Sequence, residues 1–325
     1  MSVFPNLKAT IKQKSSAALK SGQLVPLDTE VDDWEEAGIP ASGSTFELRL
    51  APIQKKPTVK DPTRQDPFAP PYIDELYITE DKISEELGGE DDEFVILLNK
   101  FPVVSGHFLL CTKKFVPQEA PLAPGELAAA YSILQQLGTR QKHLCFYNRG
   151  RVSGASQPHK HLQFIPLENG VAPFDQFIET NKPDNAVGPF QLPLGYCNFT
   201  VFLNPSTNKR PLGDYLMGHY LAMIDLLMDY FRRLEASQPG NRITMSNLSF
   251  ALLMTTNYLQ IIPRSADVYT TESKETIAIN SLGYAGMVLL KSQEALDDLK
   301  KVGVLNVLKM LGYPAIESGE APEEL

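Results

Sequence analysis

His159, His161 and Gln163 stand two residues apart in the run Ser156-Gln157-Pro158-His159-Lys160-His161-Leu162-Gln163. Side chains at this spacing leave one face of an extended strand. The run therefore offers two imidazoles and one neutral amide to the same side of a sheet. Imidazole is a nucleophile that is uncharged near neutrality, its ordinary pKa being about 6.5. Just upstream, residues 148–155 are polar and contain Gly150 and Gly154. A loop of this kind can turn several backbone N–H groups toward one anion. An anion cradle, a nucleophile and an amide donor in this order point to attack on phosphorus. The bland alternative is a polar strand end with two surface histidines, against which the loop and Gln163 both weigh.

The third position decides the fate of the product of that attack. Gln163 can donate to a phosphoryl oxygen but carries no proton that titrates near neutrality. It cannot activate water as a third histidine could. A phosphorylated-imidazole intermediate should then survive until a phosphate-bearing acceptor arrives, which favours transfer over hydrolysis. Donors to the phosphates would come from Gly154, Ala155, Ser156 and Gln157, with a further amide from Asn148. Lys56 and Lys291 are candidate cations for the outer phosphates, with a solvated surface charge as the alternative for each. Asn99 and Lys100 follow an apolar run and could equally cap a strand end. His107 reads as a structural histidine, and His143 and His219 have no supporting context.

Composition narrows the class. The 325 residues carry a formal net charge of −9, which argues against non-specific nucleic-acid binding but not against a small phosphorylated ligand. Hydrophobic content of 43% supports a substantial core in one large domain or two. No run of about 18 apolar residues is present, so no membrane span is expected, and the first residues lack an apolar leader. Cys111, Cys145 and Cys197 form neither a metal spacing nor a disulfide framework. A reducing compartment, the cytoplasm or also the nucleus, follows as the expectation. Cys145 lies in an apolar run and reads as a small core residue.

The elements that must hold these residues can be read in outline. Apolar runs at 94–98, 108–111, 144–147 and 161–165 predict buried strands, and alternation predicts another at 45–51. Residues 7–22 and 125–137 read as helices. Residues 215–234 make the clearest helix, with Met217, Tyr220, Leu221, Ile224, Leu227, Met228 and Phe231 as its apolar stripe. Six prolines between residues 52 and 73 exclude regular structure there. Residues 85–93 read as a solvated turn and 313–325 as a mobile tail. Strands at 248–254 and 258–262 surround a Thr-Thr-Asn turn. Leu162-Gln163-Phe164-Ile165-Pro166 is echoed by Leu259-Gln260-Ile261-Ile262-Pro263, a faint internal repeat whose second copy lacks both histidines.

Residues 148–163, N-x-G-x-x-S-G-A-S-Q-x-H-x-H-L-Q, resemble the histidine-triad superfamily, in particular its transferase branch with H-x-H-x-Q. That branch contains galactose-1-phosphate uridylyltransferase and the fungal diadenosine tetraphosphate phosphorylases. Leu98-Asn99-Lys100-Phe101-Pro102 with Gly106-His107-Phe108-Leu109-Leu110 matches the superfamily as well. Asp66-Pro67-Phe68, Ile261-Ile262-Pro263-Arg264-Ser265 and the block from Asn280 to Met287 resemble the fungal phosphorylases. A uridylyltransferase usually has proline between its histidines, where this chain has Lys160.

The resemblance implies an α+β, histidine-triad-like fold: a mainly antiparallel sheet flanked by helices, with a possible degenerate second half. It implies a single catalytic unit over residues 1–325. Residues 1–200 would bear the motif, residues 201–315 would form a C-terminal ATP adenylyltransferase-like region, and residues 316–325 a tail. His161 would be the nucleophile and His159 its brace, with Gln163 beside them. Leu98, Asn99, Lys100, Asn280, Ser281, Leu282, Met287 and Lys291 would contact substrate with the loop residues and Lys56. The implied reaction is phosphorolysis of diadenosine tetraphosphate to ATP and ADP through AMP on a histidine. A divalent cation, Mg or Mn, would accompany the phosphates without a protein cage of its own. Implied partners are dinucleoside polyphosphates, inorganic phosphate, ATP and ADP, acted on by a monomer. Another nucleotidyltransferase or hydrolase of the superfamily, or a non-catalytic dinucleotide-binding protein, is the alternative.

Overall fold

A computed structural model describes residues 4–36, 45–51, 66–89, 92–138, 142–184, 187–237, 240 and 242–315. In chain order the elements begin with α1 (Leu7–Lys20), β1 (Glu30–Trp34), β2 (Phe46–Leu50), β3 (Tyr77–Ile83), β4 (Asp92–Leu98) and β5 (Phe108–Thr112). Then come α2 (Pro124–Leu137), β6 (His143–Arg149), β7 (His161–Pro166), α3 (Asp175–Thr180), β8 (Phe199–Phe202), α4 (Leu212–Ser237), β9 (Phe250–Met254) and β10 (Tyr258–Pro263). The chain continues through β11 (Val268–Thr270), β12 (Thr276–Ala278), α5 (Ser281–Tyr284), β13 (Met287–Leu290), α6 (Gln293–Val302) and α7 (Val304–Leu311).

Eight strands form one sheet in the order β3-β4-β5-β7-β6-β9-β10-β8, with every neighbouring pair antiparallel. Helices α1, α2 and α4 cover one face, where Leu162, Phe164, Phe108 and Leu98 are buried. Burying each such side chain is worth about 1.5–3 kcal/mol. Alternation sends His161, Gln163 and Ile165 to the other face. There Ile165 joins a core with β2, β13 and α5–α7, while Leu97, Leu109, Cys111 and Phe68 make a separate cluster toward the β3 edge. The histidine face lies at the seam between these two clusters. An all-antiparallel sheet with helices on its faces is the architecture expected above.

The internal echo falls on matching strands. β5-α2-β6-β7 and β8-α4-β9-β10 have the same element order, and β6 pairs with β9 where the two halves meet. Gln260 stands where Gln163 does, and Tyr258 where His161 does. Tyr258 donates its hydroxyl to Asp175 Oδ1 at 2.8 Å, and Gln260 Nε2 donates to Thr200 Oγ1 at 2.9 Å. Both side chains are buried and occupied, so the second half has the scaffold without a free imidazole.

Several expectations need correction. The apolar stripe of α4 is Leu216, Tyr220, Met223, Ile224, Leu227, Tyr230 and Phe231, whereas Leu221 is 50% exposed and Met217 and Met228 only half-buried. Leu221 stands one residue past Tyr220 and so is rotated about 100° away from the sheet. The acidic stretch 85–93 holds a 3-10 turn at Glu85–Leu87, but β4 already begins at Asp92. The proline-rich residues 52–65, Lys56 among them, and residues 316–325 lie outside the described residues. All three cysteines are free and buried, Cys145 among them. Among the described residues no helix is long and apolar enough to cross a membrane.

Candidate active site

β7 and the extended segment before it deliver the histidines: His159 makes an isolated antiparallel bridge with Pro117, and His161 opens β7. Lys160, between them, turns to the opposite side and is buried, its Nζ 2.9 Å from Glu126 Oε1 and 2.8 Å from the Pro121 carbonyl. Glu126 lies in the first turn of α2 and also accepts from the Ala123 backbone N–H at 2.8 Å. The ion pair thus pins the histidine strand to the helix beneath it. From the next segment, Gln118 Oε1 accepts from the His161 backbone N–H at 2.9 Å. Gln118 Nε2 donates to the Asn148 carbonyl at 2.9 Å. Gln118 therefore ties β7 to β6 at the level of the nucleophile.

The His161 ring is held in one tautomer. Its Nδ1 lies 2.8 Å from the His159 carbonyl oxygen, an acceptor, so Nδ1 carries the proton and Nε2 the lone pair. No hydrogen bond among the described residues uses Nε2. Burial pushes the His161 pKa down to about 4, with the His159 carbonyl bond opposing the shift and the charge of the His159 ring adding to it. Phe68 covers the ring with centroids 4.9 Å apart. His159 is itself fully buried, with Nδ1 2.8 Å from Asp66 Oδ2 and Nε2 2.7 Å from the Thr112 carbonyl. Asp66 Oδ1 accepts from the Phe68 backbone N–H at 2.9 Å, so one carboxylate fixes both the brace and the cover.

A pH profile follows from this burial. The attack step is expected to hold level from neutrality to below pH 5 and to fail only as Nε2 protonates near about pH 4. Single-turnover rates across this range check it, and an acid limb centred at about 6.5, the ordinary imidazole value, would contradict it. Stability runs separately. His107, also buried, has its pKa pushed down to about 4. Between about 4 and about 6.5 the unfolded chain binds protons at both rings that the folded chain does not. Stability therefore falls as pH drops through that window.

Candidate donors for an anion come from the loop that leads from β6 into β7. The loop after β6 uses Gly150 at φ 81° and Gly154 at φ 93°, left-handed conformations that suit glycine. Ser153, Gly154 and Ala155 use their N–H groups inside the turn. The N–H groups of Ser156 and Gln157 enter no hydrogen bond among the described residues. A Cβ on Gly154 would stand 2.7 Å from Asn280 Cβ, so the loop packs directly on the segment before α5. Ser281 donates from its hydroxyl at 2.6 Å and its N–H at 2.9 Å to Asn148 Oδ1. The Asn148 amide nitrogen is then the end left for a ligand.

The comparisons with known proteins agree over the whole chain. The Ap4A phosphorylase N-terminal domain matches residues 4–179, and the ATP adenylyltransferase C-terminal domain matches residues 193–314. The chain belongs to the Ap4A phosphorylase family. Diadenosine 5',5'''-P1,P4-tetraphosphate phosphorylase 2 of Saccharomyces cerevisiae is 32% identical, over 98% of this chain and 98% of the relative. The crystal structure of yeast Ap4A phosphorylase Apa2 superposes with a TM-score of 0.78 at 29% identity, over 98% of both chains. The same yeast enzyme in complex with Ap4A gives a TM-score of 0.74 at 29% identity, over 96% of this chain and 98% of that one.

Within this member of the Ap4A phosphorylase family, the remaining residues singled out from sequence fall in different places. Asn280 caps α5 by accepting from the Leu282 N–H at 3.0 Å, and Leu282 is buried beside it. Leu98 sends its side chain into the opposite core, so it does not share the histidine face. Asn99 does face the site but is engaged with His107. Lys100 is half-buried, its Nζ 5.8 Å from the Phe101 ring. Met287 lines a cavity of about 450 Å³ with Glu47, Arg49, Pro166 and Tyr258. This cavity sits at the far end of β7, about 16 Å from His161 at the usual strand rise. Lys291 is exposed after β13, and among the described residues nothing ties it to the histidines. Gln118, Thr112 and the His107 link were not legible as site residues, since each reaches β7 through contacts distant in sequence.

Proposed function

We propose that this chain cleaves Ap4A phosphorolytically to ATP and ADP through AMP carried on His161. The observation that carries this reading is the His161 ring: Nδ1 is locked on the His159 carbonyl, which leaves a neutral Nε2 with its lone pair at the start of β7, the strand that the Gly154 loop leads into. Nε2 forms a bond to the α-phosphorus and the α–β anhydride bond breaks, releasing ATP. Inorganic phosphate then attacks the same phosphorus, the N–P bond breaks, and ADP leaves with His161 restored. Ser156 and Gln157 N–H groups, the Asn148 amide and the Gln163 amide would hold the non-bridging oxygens as charge gathers on them. A divalent cation, Mg or Mn, would be held by the polyphosphate itself and would offset part of its charge. Among the described residues there is no group of three or more His, Cys, Asp or Glu side chains placed to hold a metal.

The test is product analysis with labelled inorganic phosphate. Ap4A should give ATP and ADP in equal amounts, with the label in the terminal phosphate of ADP and none in ATP. Cleavage that proceeds without phosphate and yields AMP would overturn the reading in favour of hydrolysis.

A further inference from the structure

A chain of hydrogen bonds runs under Gln163, with a backbone donor at one end and the Gln163 amide oxygen at the other. The Phe101 N–H donates to Asn99 Oδ1 at 3.0 Å. That bond leaves Asn99 Nδ2 facing the buried His107 ring, 3.3 Å from Nδ1 and 3.2 Å from Nε2. His107 Nε2 lies 3.1 Å from Gln163 Oε1. Asn99 Nδ2 is a donor close to both ring nitrogens and does not choose between them, but Gln163 Oε1 can only accept. Nδ1 is therefore the lone-pair nitrogen, and Asn99 Nδ2 meets it at 3.3 Å. Nε2 carries the proton and gives it to Gln163 Oε1. The opposite tautomer would set the Nε2 lone pair against Gln163 Oε1. Burial keeps the ring in a single-proton state, its pKa being pushed down to about 4.

We infer that His107 is a positioning residue, which fixes the direction of the Gln163 amide so that Nε2, and not Oε1, faces the phosphoryl group on His161. The inference rests on the proposed role of Gln163 as a donor to that group. An amide left to itself can turn either way at little cost, and the wrong way sets an oxygen against a phosphoryl oxygen. Leu109 pairs with Gln163 across β5 and β7, and Asn99 and His107 flank the same sheet face, so the relay stands on ordered strands. His107 touches no reacting atom in this scheme. It acts through Gln163 alone.

A double-mutant cycle tests this. Gln163→Ala should lower kcat by about a hundredfold, the usual cost of one lost transition-state donor. His107→Leu, which removes the fixing bond, should lower kcat by about tenfold or more with KM little changed. In the Gln163→Ala background, His107→Leu should cost less than about twofold, because nothing remains to be oriented. His107→Gln, whose amide can again donate to Gln163 Oε1, should recover most of the loss. Thermal unfolding checks that each variant is folded at the assay temperature. If His107→Leu costs as much without Gln163 as with it, His107 supports the site by packing and the inference is overturned. If Gln163→Ala is harmless, the donor role of Gln163 falls and this inference with it.

Discussion

His161→Ala is expected to lower kcat by about four orders of magnitude or more, as loss of a nucleophile does where no neighbour can replace it. No second imidazole can take over. His159 has both ring nitrogens against acceptors, on Asp66 and on the Thr112 carbonyl. The His107 Nε2 proton is committed to Gln163. The substitution should leave the fold intact, since the His161 ring bonds only to the His159 carbonyl two residues before it while its backbone N–H stays on Gln118. Steady-state assays with Ap4A, beside a thermal melt, check both halves. A variant that keeps more than about a tenth of wild-type turnover has lost only about 1.4 kcal/mol, too little for a nucleophile.

The second large effect is on stability. Lys160 and Glu126 are both nearly inaccessible, with side chains 2% and 5% exposed. Burial raises the Glu126 pKa and the adjacent ammonium opposes that shift. Either single change, Lys160→Met or Glu126→Leu, leaves one buried charge without its partner and is expected to cost about 3–5 kcal/mol. The double variant removes both charges and fills the space with apolar atoms, so it should recover most of that loss. Denaturant unfolding of the three variants measures the coupling. Additive losses in the double variant would show that the pair is not what joins β7 to α2. Activity should fall in the single variants even where they remain folded, because Lys160 lies between the two histidines.

Local pattern made β7 legible. Its period of two placed His161 and Gln163 on one face, and the glycines marked the loop that precedes them. Leu98 shows the limit. It reads as belonging to a site block, but parity across the sheet decides its direction: Leu97, Leu109 and Gln163 share one row, and Leu98 pairs with Phe108 in the next. Register between strands is not written in any one of them. The supporting residues were harder still. Asp66 meets His159 across 93 positions, His107 meets Gln163 across 56, and Gln118 meets His161 across 43. Such pairs exist only once the sheet closes. The short β8, β11 and β12 gave no period to read, and the α4 stripe drifted because apolar residues also flank its buried face.

Intact-mass spectrometry after mixing the protein with Ap4A in the absence of phosphate tests the central claim most directly. The account predicts one added AMP per chain, located by peptide mapping on His161 and discharged as ADP when phosphate is supplied. The His161→Ala variant should gain no such mass. Turnover to ATP and ADP with no adduct trapped at any time, or an adduct that persists in His161→Ala, would contradict it.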